Sequence, residues 1–111
     1  MIVDAHCHVW PDHIAPVVLA ARPSGLDPRY DGTVDGLLRT MDAAGVDRAM
    51  CLGIAAVAKH VAGTNRFIGS IDRSRFTPFG TVHPGLSVEE NVKHLQDNGI
   101  PGVKLHPLFQ E

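Results

Sequence analysis

The sequence predicts an α/β fold built on a parallel sheet. Three observations carry the prediction. Four short apolar runs of strand character alternate with stretches whose apolar residues recur at helical spacing. The runs are apolar on both faces, the pattern of strands covered by helices rather than of a half-solvated antiparallel sheet. Histidines close three of the four runs, and in parallel α/β proteins ligands and chemistry gather at the carboxyl ends of the strands.

The first strand is expected over Met1 to His6. His8 to Tyr30 is a long irregular stretch broken by Pro11, Pro16, Pro23, Gly25 and Pro28, with one short helix from about Ile14 to Ala21. Long excursions directly after a strand often carry function. Thr33 is placed to cap a helix whose stripe is Leu37, Leu38, Met41 and Ala44, with Gly45 at the left-handed position that ends it. Arg48 to Leu52 is strand two. Gly53 to Gly63 is ambiguous between loop and short helix, and Thr64 to Ile71 has helical character, with Phe67, Ile68 and Ile71 on one side. Phe76 to Val82 is strand three, ended by His83-Pro84. Ser87-Val88-Glu89-Glu90 has the form of a capping box, opening a helix through Val92 and Leu95 that Gly99 closes. Val103 to His106 is strand four, stopped by Pro107.

Length sets one domain, 1–111, with material for a real core. Net charge is −2, and Lys and Arg form no stripe or cluster. Nucleic acid and anionic membrane are therefore not expected partners. The longest apolar run, Pro16 to Ala21, is far too short to span a bilayer. Asp4 and His6 fall where a signal peptide would be apolar, so export is not expected. Cys7 and Cys51 read as small reduced core residues, and the cytoplasm is the expected location.

The chemistry concentrates in Asp4-Ala5-His6-Cys7-His8. On a strand, side chains at i and i+2 share a face, roughly 6.5 Å apart along the backbone. His6 and His8 can therefore close on one metal ion. An isolated histidine at a strand end is ordinarily a hydrogen-bonded structural residue; the pairing changes that balance. Asp4, one step deeper on the same face, is expected to be buried, hydrogen-bonded and set to orient a neighbouring side chain, as carboxylates do behind metal-bound histidines. His83, before Pro84, either ends its strand and orients a turn or joins the site. Lys104 and His106 share a face of strand four, at the mouth of the sheet, as groups for substrate or for support of the metal ligands. Trp10 either walls a pocket or simply packs. His13, His60 and His94 fall on loops or helices and are expected to be solvated. No phosphate-binding glycine loop, Cys-x-x-Cys or serine on a strand-to-helix turn is present.

Taken together, Val3-Asp4-Ala5-His6-Cys7-His8, the segment Phe76 to Pro84 and Gly102-Val103-Lys104-Leu105-His106-Pro107 resemble the amidohydrolase superfamily. The similarity is greatest to its amidohydrolase 2 branch of metal-dependent hydrolases and non-oxidative decarboxylases, and it spans essentially the whole chain. TatD-like deoxyribonucleases share the opening motif and a His-Pro at strand three, but their fourth strand usually carries an acidic residue. The resemblance implies the N-terminal half, about four βα units, of a (β/α)8 TIM barrel. It implies a divalent metal, usually zinc, held in part by His6 and His8, and a small-molecule substrate. The family's further ligands, a histidine after strand five, often another on strand six, and an aspartate after strand eight, have no counterpart in residues 1–111. A complete barrel takes about 250 residues. Four strands alone would leave strands one and four as open edges, so self-association is expected. Hydrolysis, decarboxylation and an inactive half-barrel all stay open from the sequence.

Overall fold

The computed structural model describes residues 1–110. Its sheet has four parallel strands in sequence order: β1 (Val3–Cys7), β2 (Arg48–Leu52), β3 (Phe76–Thr81) and β4 (Gly102–Lys104). Four helices connect them: α1 (Ala15–Ala20), α2 (Val34–Ala44), α3 (Val61–Ser70) and α4 (Val88–Asp97).

Local chemistry places the helices. Thr33 accepts the Gly36 amide at 2.9 Å and starts α2, and Gly45 ends it with φ +69°, a conformation costly for any residue with a Cβ. Leu37 and Met41 of the expected stripe are buried and Leu38 is half-buried, but Ala44 is exposed. The ambiguous stretch resolves into a 3-10 turn, Ala58–His60, that runs straight into α3, so this helix begins three residues before the expected Thr64. The capping box is complete: the Glu90 amide donates to Ser87 Oγ at 3.1 Å, and the Ser87 amide donates to Glu90 Oε2 at 2.8 Å.

The fourth strand is shorter than expected. Pairing stops at Lys104, and His106 belongs to the connection that enters a 3-10 turn, Pro107–Phe109. Pro107 has no amide to give to a ladder and restricts the residue before it, which explains the early stop.

The core lies between sheet and helices. Cys7, Ala49, Cys51 and Phe76 from the strands meet Leu37, Met41, Ile68 and Ile71. Along β2 and β3 these inward residues alternate with Met50, Thr77 and Phe79, which are only half-buried on the other face. Helices thus cover one face of the sheet, and the residues of the other are half-buried. Asp4, expected to be buried, is exposed, because β1 is an edge strand with no neighbour beyond it.

Three exposed carboxylates accept hydrogen bonds that favour their charged forms. Thr33 holds Asp31, Ser74 holds Asp72 and Ser87 holds Glu90 below their ordinary values of 3.8, 3.8 and 4.5. A depressed folded value contributes stability that is fully present above the ordinary value and is lost as the pH falls through the folded one. Urea midpoints should therefore hold steady at neutral pH and decline on acidification below the ordinary carboxylate range. Ser87→Ala should lower stability by about 1 kcal/mol at neutral pH and flatten part of that decline.

Candidate functional site

β1 carries the two histidines to the carboxyl rim through a break in its register. Asp4 pairs with Ala49 and Cys7 with Cys51, so three steps along β1 match two along β2. One extra residue in a strand re-aims the side chains beyond it. The register therefore aligns Asp4 with Cys7 rather than with His6 and His8, against the shared face expected from strict alternation. Asp4 Oδ1 accepts the His6 amide at 3.0 Å. Burial, then a hydrogen bond to Asp4, pushes the Cys7 thiol up to about 12. Cys51, directly across, is pushed to about 12 by burial first and by the Asp4 charge second. Both thiols are free and buried, and both are unreactive in this state.

The two imidazoles converge. His6 Nε2 and His8 Nε2 stand 3.0 Å apart, with the ring planes 74° from parallel. His8 Nδ1 lies 2.8 Å from the Leu52 carbonyl. A carbonyl can only accept, so Nδ1 carries the proton and Nε2 of neutral His8 presents a lone pair toward His6. Burial lowers the His8 pKa; the Leu52 bond opposes that shift, and electrostatic repulsion from His6, Lys104 and His106 adds to it. The main chain of His8 is clamped by Tyr30, whose hydroxyl donates to the His8 carbonyl and accepts the His8 amide at 3.3 Å. Trp10 stacks at 6.0 Å on the ring and walls a cavity of about 550 Å³ shared with Ile14, Leu52, Lys59 and Phe67. Pocket wall and packing residue are thus one role for Trp10.

Lys104 and His106 both act on the His8 charge. His106 is half-buried; its amide donates to Gln110 Oε1 at 2.8 Å, and its ring lies 4.3 Å from that of Phe109. His83 is used differently. Its Nδ1 accepts the Gly85 amide at 2.9 Å, Nε2–H points at the Ala56 carbonyl at 3.3 Å, and Asn91 grips its amide and carbonyl. Both ring nitrogens are spent on the backbone of the rim.

Sequence reasoning missed a buried polar network beneath this rim. Asn65 of α3 donates to the Thr81 carbonyl at 2.9 Å and accepts the Thr81 amide at 2.8 Å. Gln110 donates to Thr81 Oγ1 at 3.0 Å and to the Val82 carbonyl at 2.6 Å. These bonds pin the end of β3 to α3 and to the segment bearing His106. Asn65 sits at a core position of α3, but a lone asparagine in an amphipathic helix does not reveal its partner. Among the described residues, no group of three or more His, Cys, Asp or Glu is placed to hold a metal ion.

Comparison with known proteins supports the fold. The chain is similar to a solved structure of a probable 2-pyrone-4,6-dicarboxylic acid hydrolase from Acinetobacter baumannii with citric acid bound. The TM-score is 0.51 and the identity 17%, over 94% of this chain and 37% of that one. At this identity the likeness is one of fold. This chain spans little more than a third of that protein's length. No protein-family profile matches the chain, and no curated protein matches it. No helix among the described residues is long and apolar enough to cross a membrane.

His8 should titrate below the ordinary histidine value of 6.5, with the proton of its neutral form on Nδ1. A depressed value means that its contribution to stability is complete above 6.5 and is lost as the pH falls below it. Nitrogen-15 NMR of the imidazoles reads both features, and a midpoint above 6.5 would contradict the burial argument. Asn65→Ala should cost about 2–3 kcal/mol, because it strands two backbone groups of Thr81 away from water. Equilibrium urea unfolding measures the loss.

Proposed function

We propose that this chain carries part of the active centre of a metal-dependent hydrolase of the amidohydrolase type, and that its sheet is half of a (β/α)8 barrel. The observation that supports the metal site best is the 3.0 Å approach of the two Nε2 atoms, with His8 Nδ1–H tied to the Leu52 carbonyl. Two ligands of a tetrahedral zinc with Zn–N bonds of 2.0–2.1 Å stand roughly 3.3 Å apart. Metal-bound histidines ordinarily give their other ring proton to a carbonyl or carboxylate, and His8 does so. Only one proton separates the two nitrogens, and a divalent cation can replace it. His6 and His8 thus fit as two of the three or four protein ligands such an ion takes. The remaining ligands would come from protein beyond residues 1–111 or from another chain. When bound, the metal supplies a hydroxide near neutral pH by lowering the pKa of its water toward about 7.

The chain's own residues set the frame for that chemistry. Leu52 fixes the tautomer of His8, and burial keeps that imidazole neutral at pH 7 and free to ligate. Tyr30 locks its backbone. Lys104 places positive charge at the rim and His106 an imidazole beside it, suited to holding a carboxylate of a small acid or to supporting the metal ligands. An acid substrate agrees with the dicarboxylic acid in the name of the similar hydrolase. The reaction we favour is attack on a carbonyl-type carbon. Two free, buried thiols fit a reducing compartment, the cytoplasm.

Zinc titration by calorimetry tests the reading. His6→Ala and His8→Ala should each weaken binding at least about tenfold, and His83→Ala should leave it unchanged. Undiminished binding in the His6→Ala, His8→Ala double variant would refute it.

A further inference from the structure

A cavity of about 550 Å³ opens beside the carboxyl ends of β1 and β2, and the proposed metal site leaves it unused. Its walls all come from residues 9–67: the chain just past β1, α1, the chain just past β2, and the first turns of α3. Neither His6 nor His8 lines it. It meets their surroundings through Trp10, which stacks on the His8 ring, and through Leu52, whose carbonyl holds His8 Nδ1.

The lining is apolar, with charge of one sign. Trp10, Val18, Ile54 and Phe67 are half-buried and Ile14 is 37% exposed, so large apolar side chains border open space. A ligand that covers them takes apolar surface out of water, the dominant favourable term in such binding. The volume falls in the range of small-molecule sites, about 300–1,000 Å³. Lys59 and His60 line the cavity from the 3-10 turn Ala58–His60, and both are exposed. Among the described residues no Asp or Glu lines it. A carboxylate there meets a cation and an imidazole, with no like charge to repel it. A second charge on the ligand would lie against apolar walls and go unpaired, which is costly.

We propose that this cavity binds a free monocarboxylic acid with an apolar body, the body against Trp10, Phe67 and the aliphatic side chains and the carboxylate at Lys59. The site is separate from the metal site and does not rest on that reading.

Trp10 is the one tryptophan of the chain, so its fluorescence reports occupancy from the cavity wall itself. Octanoate and octan-1-ol share an apolar chain and differ in charge. Octanoate should shift the Trp10 emission saturably, with one site by calorimetry, and bind about threefold or more tightly than octan-1-ol. No saturable shift at millimolar octanoate overturns the site, and equal affinities overturn the choice of an acid. Lys59 is exposed, so Lys59→Glu should fold, by circular dichroism, and weaken octanoate about tenfold while leaving octan-1-ol unchanged. An unchanged octanoate constant in the folded variant overturns the place of the carboxylate. Gly63 lines the cavity from α3, and a Cβ built on it meets nothing within 4 Å. Gly63→Leu should therefore fold, since leucine suits a helix better than glycine, and should weaken both ligands. A folded variant that binds both as the wild type does puts the occupant elsewhere and overturns the site. His6→Ala, outside the cavity, should bind octanoate as the wild type does whatever becomes of its zinc. Loss of octanoate binding in that variant overturns the separation of the two sites.

Discussion

The hydrogen bond from His8 Nδ1 to the Leu52 carbonyl is the contact on which the site turns. It ties the end of β1 to the end of β2, it decides which nitrogen keeps the proton, and it aims the remaining lone pair at His6. Leu52 can serve because β2 runs parallel to β1 and ends at the same rim. The break in register between Asp4 and Cys7 is the other half of the arrangement, since it lets Cys7 enter the core while the imidazoles leave it. Core packing and site geometry are therefore set by the same few residues.

Around that contact the rim is held by groups with no chemical task of their own. Tyr30 clamps the His8 backbone, Asn91 grips His83, and Asn65 with Gln110 fixes the end of β3 and the segment carrying His106. Buried donors and acceptors of this kind are costly when left unpaired, and among the described residues no buried side-chain nitrogen or oxygen lacks a partner. The rigidity of the rim comes from this network. The helices contribute apolar packing on one face of the sheet, while Met50, Thr77 and Phe79 on the opposite face stay half-buried.

Much of the fold was legible because its signals are local. Thr33 and Gly45 bracket α2, Ser87 and Glu90 start α4, and apolar runs mark β2 and β3 to within a residue. The misses were those that depend on neighbours in space. Periodicity alone does not show the slip in β1, which needs the register with β2, so strict alternation puts Asp4 on the face of His6 and His8 and in the interior, whereas it aligns with Cys7 and is exposed. Pro107 signalled an end, but the chain leaves the ladder before His106. The roles of Asn65, Tyr30 and Gln110 come from partners 16 to 55 positions away in sequence. Of the candidate residues, the spacing of His6 and His8 made their ring approach legible, and His83 takes the turn-orienting alternative, its ring bound to the backbone of Ala56 and Gly85; which of the two it would be depends on neighbours far off in sequence.

Zinc-edge X-ray absorption of the loaded protein tests the central claim most directly. The account predicts at least two imidazole nitrogens at 2.0–2.1 Å, with the outer-shell scattering of histidine rings, and loss of that signature in His6→Ala. A metal surrounded by oxygen alone, or an unchanged spectrum in the variant, would contradict it.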